Sequence, residues 1–129
     1  MLNPRHSLLQ ALDSTARHHV LAATWGDEGV DLHWREWGQG RPLVLLHGGH
    51  GSWMHWVRNI EALSRQFRVL VPDLPGFGDS QDFALPAHDP ARLPALVQSL
   101  EQCLDLLVPE QGVLLAGFSF GAAIAAQLA

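Results

Sequence analysis

Three short, largely apolar runs constrain the fold of this chain most strongly. They are LVLLH at 43–47, FRVLV at 67–71 and VLLAG at 113–117. A run of this length without polar alternation is typical of a strand covered on both faces, as the strands of a parallel sheet are. The sequence therefore predicts three parallel strands, all of them buried.

A helix is predicted after each of these strands. The first begins at Trp53, with Ser52 placed to cap it. Its apolar positions recur at helical spacing: Trp53, Trp56, Val57, Ile60 and Leu63. The second begins between Asp89 and Pro94, and the third runs from Ala122 onward. The second has an apolar side made of Leu96, Val97, Leu100, Cys103, Leu104 and Leu107.

The segment before the first parallel strand has a different pattern. The stretches at 19–25 and 30–37 predict two strands, and the turn residues GDEG between them predict an antiparallel hairpin. Residues 1–17 read as a polar, weakly helical leader. Strands joined by helices form right-handed crossovers with helices on both faces. We therefore predict a three-layer α/β sandwich over residues 18–129, with a mostly parallel sheet preceded by the hairpin.

Composition excludes several classes of function. The 129 residues are 47% apolar and 16% charged, which is typical of a globular domain. A net charge of -5 and scattered basic residues argue against a nucleic-acid partner. The apolar stretches are shorter than the ~20 residues of a membrane span, so no membrane partner is expected. The amino terminus resembles no export signal, and Cys103, the single cysteine, is expected to be a buried thiol in a cytoplasmic protein.

Three loops leave the carboxyl ends of the predicted parallel strands. Their sequences are HGGHGS, PDLPGFGDS and GFSFG, in chain order. In open α/β sheets, ligands bind at this edge, because the loops that follow the strands converge there. We therefore expect any active site to be built from these three loops.

The last loop has the pattern Gly117-x-Ser119-x-Gly121 between a strand and a helix. In that context the serine occupies a strained turn with its hydroxyl exposed, which suits a nucleophile. A side chain at either glycine would collide with the neighbouring strand or helix. The amide of Phe120, in the first helical turn, would face the negative charge that develops on an attacked carbonyl.

An oxyanion requires a second hydrogen-bond donor. The loop His47-Gly48-Gly49-His50-Gly51 directly follows the first parallel strand and can turn a backbone amide toward the same point. We assign this second donor to Gly49.

The ordered segments LVLLHGGHGSW, VLVPDLPGFGDS and VLLAGFSFGAA resemble the amino-terminal half of an α/β-hydrolase-fold enzyme of the serine-nucleophile branch. The resemblance implies that Ser119 is the nucleophile of an acyl-enzyme mechanism and that His47 and Gly48 belong to the oxyanion loop, His47 in a structural role. It implies neither a cofactor nor a metal. It also separates this chain from the haloalkane dehalogenases and epoxide hydrolases of the fold, whose nucleophile is Asp.

The subfamily stays open. The segment GSWMHWVRNI is similar to a helix of carbon-carbon bond hydrolases, but the loop before it has no proline. Phe118 and Phe120 also stand where those enzymes usually carry Asn or His, and then Met. Esterases, lactonases and thioesterases are equally open. Trp53 and Phe118, with His50 beside them, are candidates to line a pocket for a small molecule with an apolar portion.

Other interpretations of these residues are weaker. His47, His50 and His55 do not have the paired spacing of metal ligands. Asp73 and Asp79 are interpreted as turn-stabilising residues of a loop rich in Pro and Gly, not as a triad acid. Neither of the glycine-rich phosphate-binding patterns of nucleotide-binding proteins is present.

The sequence after Ser119 is FGAAIAAQLA, which contains neither His nor carboxylate. A serine hydroxyl needs a base and an orienting acid, which follow the serine in α/β-hydrolases. We therefore expect an inactive amino-terminal part of an enzyme, ending in the third crossover helix. The alternative is a non-enzymatic truncated product, or a subunit completed by another chain. In either case the outer edge of the third parallel strand would be uncovered, which predicts self-association.

Overall fold

The computed structural model describes residues 4–109 and 112–129. Within them, five strands form one sheet: β1 (Arg17–Trp25), β2 (Glu28–Trp37), β3 (Arg41–Leu46), β4 (Phe67–Pro72) and β5 (Leu114–Gly117). The helices are α1 (Pro4–Thr15), α2 (Val57–Leu63), α3 (Arg92–Leu107) and α4 (Phe120–Leu128). A single 3-10 turn, Trp53–Trp56, leads into α2.

The strand order across the sheet is β1-β2-β4-β3-β5. The β1–β2 hairpin is antiparallel and joins the sheet through an antiparallel pairing of β2 with β4. β3 lies between β4 and β5 and is parallel to both. The carboxyl ends of β3, β4 and β5 therefore share one edge, which brings the three loops predicted to form the site to the same side of the sheet.

The sheet is covered on both faces, which confirms the predicted α/β class. Along β3, the side chains alternate between two buried clusters: Val44 and Leu46 face one, and Leu43 and Leu45 face the other. The first cluster includes the apolar side of α3 and Ile124 of α4. The second packs against α2 and α1. Among the described residues, no helix combines the length and the apolar character that a membrane span requires.

The stretch interpreted as a polar leader forms α1, which docks on the sheet. Leu9 and Leu12 pack against the cluster on the α2 face. The Trp37 indole nitrogen donates a hydrogen bond to the carbonyl of Leu12 at 3.0 Å. Arg35 donates to the Asp13 carboxylate at 2.7 Å. These contacts attach α1 to β2 at the end where the helix finishes.

Two expectations about local structure are corrected. All four residues of β5 are only half-buried, although VLLAG was predicted to be a buried strand. The cause is position: β5 pairs with β3 on one side only, so its other side lacks the neighbour that would exclude water. In addition, α4 begins at Phe120, two residues earlier than predicted.

Candidate active site

Ser119 connects β5 to α4 in a conformation that few side chains adopt. Its φ is 56° and its ψ is -114°, and its side chain is exposed. A positive φ is uncommon for a residue other than glycine, and it persists only where the surrounding structure enforces it. The turn therefore holds the hydroxyl away from the sheet, as a nucleophile requires.

The two glycines of this turn explain how it is enforced. A Cβ on Gly121 would overlap the carbonyl oxygen of Leu46, and one on Gly117 would overlap the backbone of Gly121. The amide of Phe118 donates a hydrogen bond to the Leu46 carbonyl at 3.0 Å, which fastens the turn to the end of β3. The start of α4 consequently packs directly against the β3 backbone, at a distance that only glycine permits.

Two backbone amides beside the turn are unpaired. Over residues 4–109 and 112–129, the amides of Gly49 and Phe120 have no hydrogen-bond acceptor within the protein. Phe120 is the first residue of α4, where the helix dipole favours a negative charge. Gly49 is exposed in the loop after β3, and a Cβ there would meet nothing within 4 Å. Both amides are free to bind an anionic oxygen.

His47 is fully buried, and both of its ring nitrogens hydrogen-bond to the backbone of the loops around it. Its Nε2 accepts a hydrogen bond from the amide of Leu74 at 2.9 Å, so this nitrogen carries no proton. Its Nδ1 donates to the carbonyl of Gly48 at 2.7 Å. Burial lowers the pKa of His47. A neutral imidazole in one tautomer therefore bridges the loops after β3 and β4.

The candidate pocket residues lie in different surroundings. The Phe118 side chain is 60% exposed, and the His50 ring, also exposed, meets Phe77 edge-on at 6.5 Å. Trp53 is buried in the core cluster that packs against α2. Its indole packs against Trp37 with ring centroids 5.7 Å apart, and the Arg35 guanidinium lies 4.6 Å from its ring centroid.

An ion-pair network centred on the buried pair Arg35 and Asp73 was not foreseen. Arg35 donates to Asp73 at 3.1 Å and to Asp79 at 2.8 Å, in addition to Asp13. Asp73 also accepts from the amides of Trp53 at 2.8 Å and Asp79 at 3.0 Å. The two acids thus stabilise the loop as turn residues, but they do so by binding Arg35. This arginine precedes Asp73 by 38 positions and Asp79 by 44. Local turn chemistry carries no signal for such a partner.

His55 was considered only as a metal ligand, yet it contacts the oxyanion loop. Its Nδ1 accepts a hydrogen bond from the amide of Gly48 at 3.2 Å. Its ring meets the Phe118 ring edge-on at 5.8 Å. Within the described part of the chain, His, Cys, Asp and Glu side chains form no group of three or more that could hold a metal ion.

Comparisons with known proteins agree with this geometry. A family model described as alpha/beta hydrolase fold matches residues 41–129. A pimeloyl-[acyl-carrier protein] methyl ester esterase of Vibrio campbellii is 40% identical over 100 residues, covering 78% of this chain and 35% of the esterase. A soluble epoxide hydrolase of a Corynebacterium species is 51% identical over 53 residues, covering 41% of this chain and 18% of that protein.

Solved structures give the same result. An epoxide hydrolase from Vigna radiata matches with a TM-score of 0.75 and 28% identity, covering 89% of this chain and 34% of that one. A variant of the Solanum tuberosum epoxide hydrolase matches with a TM-score of 0.74 and 28% identity, covering 88% and 35%. The chain thus spans about a third of the length of these relatives. On the match over residues 41–129, the chain belongs to the alpha/beta hydrolase fold family.

Proposed function

We propose that this chain carries the nucleophile and the oxyanion-binding amides of a serine hydrolase. The observation that supports this most strongly is the backbone of Ser119, held at a φ of 56° between two glycines that no larger residue could replace. A merely connecting turn would have no reason to retain such strain.

In the proposed reaction, the Ser119 hydroxyl attacks a carbonyl carbon and passes its proton to a base. The amides of Gly49 and Phe120 stabilise the oxyanion. Collapse of the tetrahedral intermediate expels the leaving group and leaves an acyl-enzyme, which water then cleaves. In α/β-hydrolases the base and its orienting acid follow the serine, and the ten residues after Ser119 contain no His or carboxylate that could serve as either.

A carbonyl compound suits this serine better than an epoxide does. A serine oxygen that opened an epoxide would be left as an ether, which water does not readily cleave, whereas a carboxylate would give a hydrolysable ester. Attack on an ester carbonyl gives an acyl-serine that water can release. We therefore favour an ester or a similar small carbonyl compound, despite the likeness to epoxide hydrolases. The exposed Phe118 and Phe120 would receive its apolar portion.

The single, buried cysteine suggests a cytoplasmic setting for this protein. We further propose that the 129 residues alone have negligible turnover. Without a base, a correctly folded oxyanion site retains at most ~10³ to 10⁴-fold over the uncatalysed reaction. Strong ester hydrolysis by the purified chain that disappears in Ser119→Ala would contradict this.

A chimera tests the proposal directly. Residues 1–129 are fused to the part of the Vibrio campbellii esterase that follows its matched region, and hydrolysis of a short p-nitrophenyl ester is measured. We expect activity that falls by ~10⁴-fold or more in Ser119→Ala and is retained in Ser7→Ala, a control at an exposed serine of α1. A folded chimera that is equally active with Ser119→Ala would refute the serine mechanism. Activity restored by the same segment added as a separate chain would favour the subunit interpretation.

A further inference from the structure

Histidine side chains hydrogen-bond to both the carbonyl and the amide of Gly48. Its carbonyl accepts hydrogen bonds from Nδ1 of His47 at 2.7 Å and from the amide of Gly51 at 3.2 Å. Its amide donates to Nδ1 of His55 at 3.2 Å. Gly48 is followed by a second glycine, and glycine loses more conformational freedom on ordering than any other residue. These three hydrogen bonds supply the order that the loop sequence lacks.

The loop is shaped around the His55 ring. A Cβ on Gly51 would overlap the imidazole, so the loop can bend this closely only because position 51 has no side chain. The amide of His55 donates to the carbonyl of Ser52 at 3.0 Å, which fixes the backbone under the ring. On the other side, the Phe118 ring meets the imidazole at an interplanar angle of 88°. The ring is thus held between the oxyanion loop and the residue before Ser119.

We propose that His55 is a positioning residue, whose unprotonated Nδ1 holds the Gly48 amide and thereby leaves the Gly49 amide as the donor that faces the substrate. This inference rests on the proposed function. The Gly48 amide is occupied by His55 and is not available to an oxyanion. The next amide, that of Gly49, is unpaired and shares a peptide group with the Gly48 carbonyl, which His47 holds. His55 holds the preceding peptide group, so the two histidines together fix the backbone on both sides of Gly48 and with it the direction of the Gly49 amide.

The hydrogen bond from Gly48 requires one particular tautomer of His55. An imidazole protonated on both nitrogens has no lone pair and cannot accept from an amide. The rings that face His55 are His47 at the end of β3, with ring centroids 6.0 Å apart, and Phe118 at the end of β5, with ring centroids 5.8 Å apart. The acceptor role of Nδ1 therefore places the ring proton of His55 on Nε2.

The hydrogen bond is measured on the 129-residue chain itself. Magic-angle-spinning NMR of ¹⁵N-labelled protein does not depend on particle size, so association of the chain does not prevent the measurement. At pH 8 we expect the His55 ring to carry its proton on Nε2 and not on Nδ1. A proton on Nδ1 at pH 8 would overturn the proposal.

Two substitutions distinguish the effect of the hydrogen-bond acceptor of His55 from the effect of its aromatic ring. His55→Phe keeps an aromatic ring against Phe118 but removes the acceptor, and we expect hydrogen exchange at Gly48 to become about tenfold faster. His55→Asn places an amide oxygen near the position of Nδ1, so the acceptor is restored and the protection of the Gly48 amide should return. His88→Asn, at an exposed histidine, is the control and should leave the exchange at Gly48 unchanged. Unchanged exchange in His55→Phe would overturn the proposal, and if that variant does not fold, the tautomer in the unsubstituted chain decides.

A catalytic measurement distinguishes positioning from a general structural role. In the active chimera, His55→Phe should lower kcat with little change in KM, because the oxyanion forms only in the transition state. His55→Asn, which keeps an acceptor near the position of Nδ1, should restore kcat. An inactive chimera would count against the proposed serine hydrolase and leave the NMR result unaffected. An equal loss in both variants would overturn the positioning role.

Discussion

Arg35 donates a hydrogen bond to Asp73 across 3.1 Å, and both side chains are almost completely buried. Asp73 in turn holds the amide of Trp53, where the 3-10 turn after the oxyanion loop begins. The charge pair therefore links β2 to two of the three loops that form the candidate active site. Loss of the ion pair between Arg35 and Asp73 should therefore destabilise these loops as well as the core.

Arg35→Met should destabilise the chain by about 3–5 kcal/mol, because it leaves the buried carboxylate of Asp73 without its counter-charge. The free energy of unfolding from urea titration measures this. Arg65→Met is the control: Arg65 faces Glu61 at 4.0 Å on the surface, where a pair contributes about 1 kcal/mol or less. Equal losses in the two variants would show that the buried network does not contribute as we infer.

Gly121→Ala should destabilise the chain by about 2 kcal/mol, because its methyl group would overlap the Leu46 carbonyl and push α4 away from β3. Thermal unfolding followed by circular dichroism measures the effect. Gly112→Ala adds the same methyl group where nothing lies within 4 Å, and it should be close to neutral. A Gly121→Ala variant as stable as Gly112→Ala would mean that α4 does not pack against β3 as described.

Glu36 should make the free energy of unfolding depend on pH in the acidic range. Burial alone would raise the pKa of Glu36, but hydrogen bonds from Arg68, Arg17 and His19 outweigh it and lower the pKa to about 2. A carboxyl whose pKa is lower in the folded state stabilises that state fully above its unfolded value, and the contribution disappears as pH falls from about 4.5 toward 2.

Urea unfolding at several pH values between 2 and 6 tests this expectation. Glu36→Gln should be less stable near pH 6 and lose less stability on acidification. Glu101→Gln, at an exposed position of α3, is the matched control and should follow the parent chain. Parallel pH curves for Glu36→Gln and the parent would contradict the assignment.

Cys103 should be unreactive while the chain is folded. It is buried in the cluster beneath α3, and burial raises the pKa of its thiol to about 11. Little thiolate, the reactive form, exists at pH 8. Ellman's reagent should label it only after urea is added, whereas a cysteine at exposed position 7 (Ser7→Cys) should react at once. Rapid labelling of native Cys103 would show that α3 opens readily.

We expect the chain to self-associate through the outer edge of β5. That edge is unpaired and its apolar residues are half-buried, which makes it a template for another strand. Sedimentation velocity at micromolar concentration should show species larger than a monomer. Gly112→Lys places a charge beside the strand and should shift the distribution toward monomer, whereas Gly29→Lys in the hairpin should not. A single monomer boundary for the parent chain would contradict the expectation.

The sequence was most informative where local pattern and tertiary environment agree. The run at 43–47 predicted burial on both faces, and Val44 and Leu45 do face opposite clusters of the core. The spacing of Leu96, Leu100 and Cys103 predicted the face of α3 that packs on the sheet. In these cases the apolar residues that become buried also show the spacing of the strand or helix, so the sequence predicts both the element and its buried face.

The remainder depends on contacts between distant segments. Arg35 occupies a strand position that could equally face solvent, and only the fold brings Asp73 beneath it. The link from His55 to Gly48 depends on the angle at which the 3-10 turn leaves the loop, which no motif encodes. The half-buried state of β5 follows from its missing neighbour and not from its own apolar residues.

The backbone contacts that shape the turn at Ser119 join the end of β3 to the first turn of α4. Within the described residues, none of them involves a residue later than Ala123. The conformation of Ser119 is thus specified by main-chain packing across the junction of β3 and α4, and the glycines at 117 and 121 are the positions where this packing leaves no room for a Cβ.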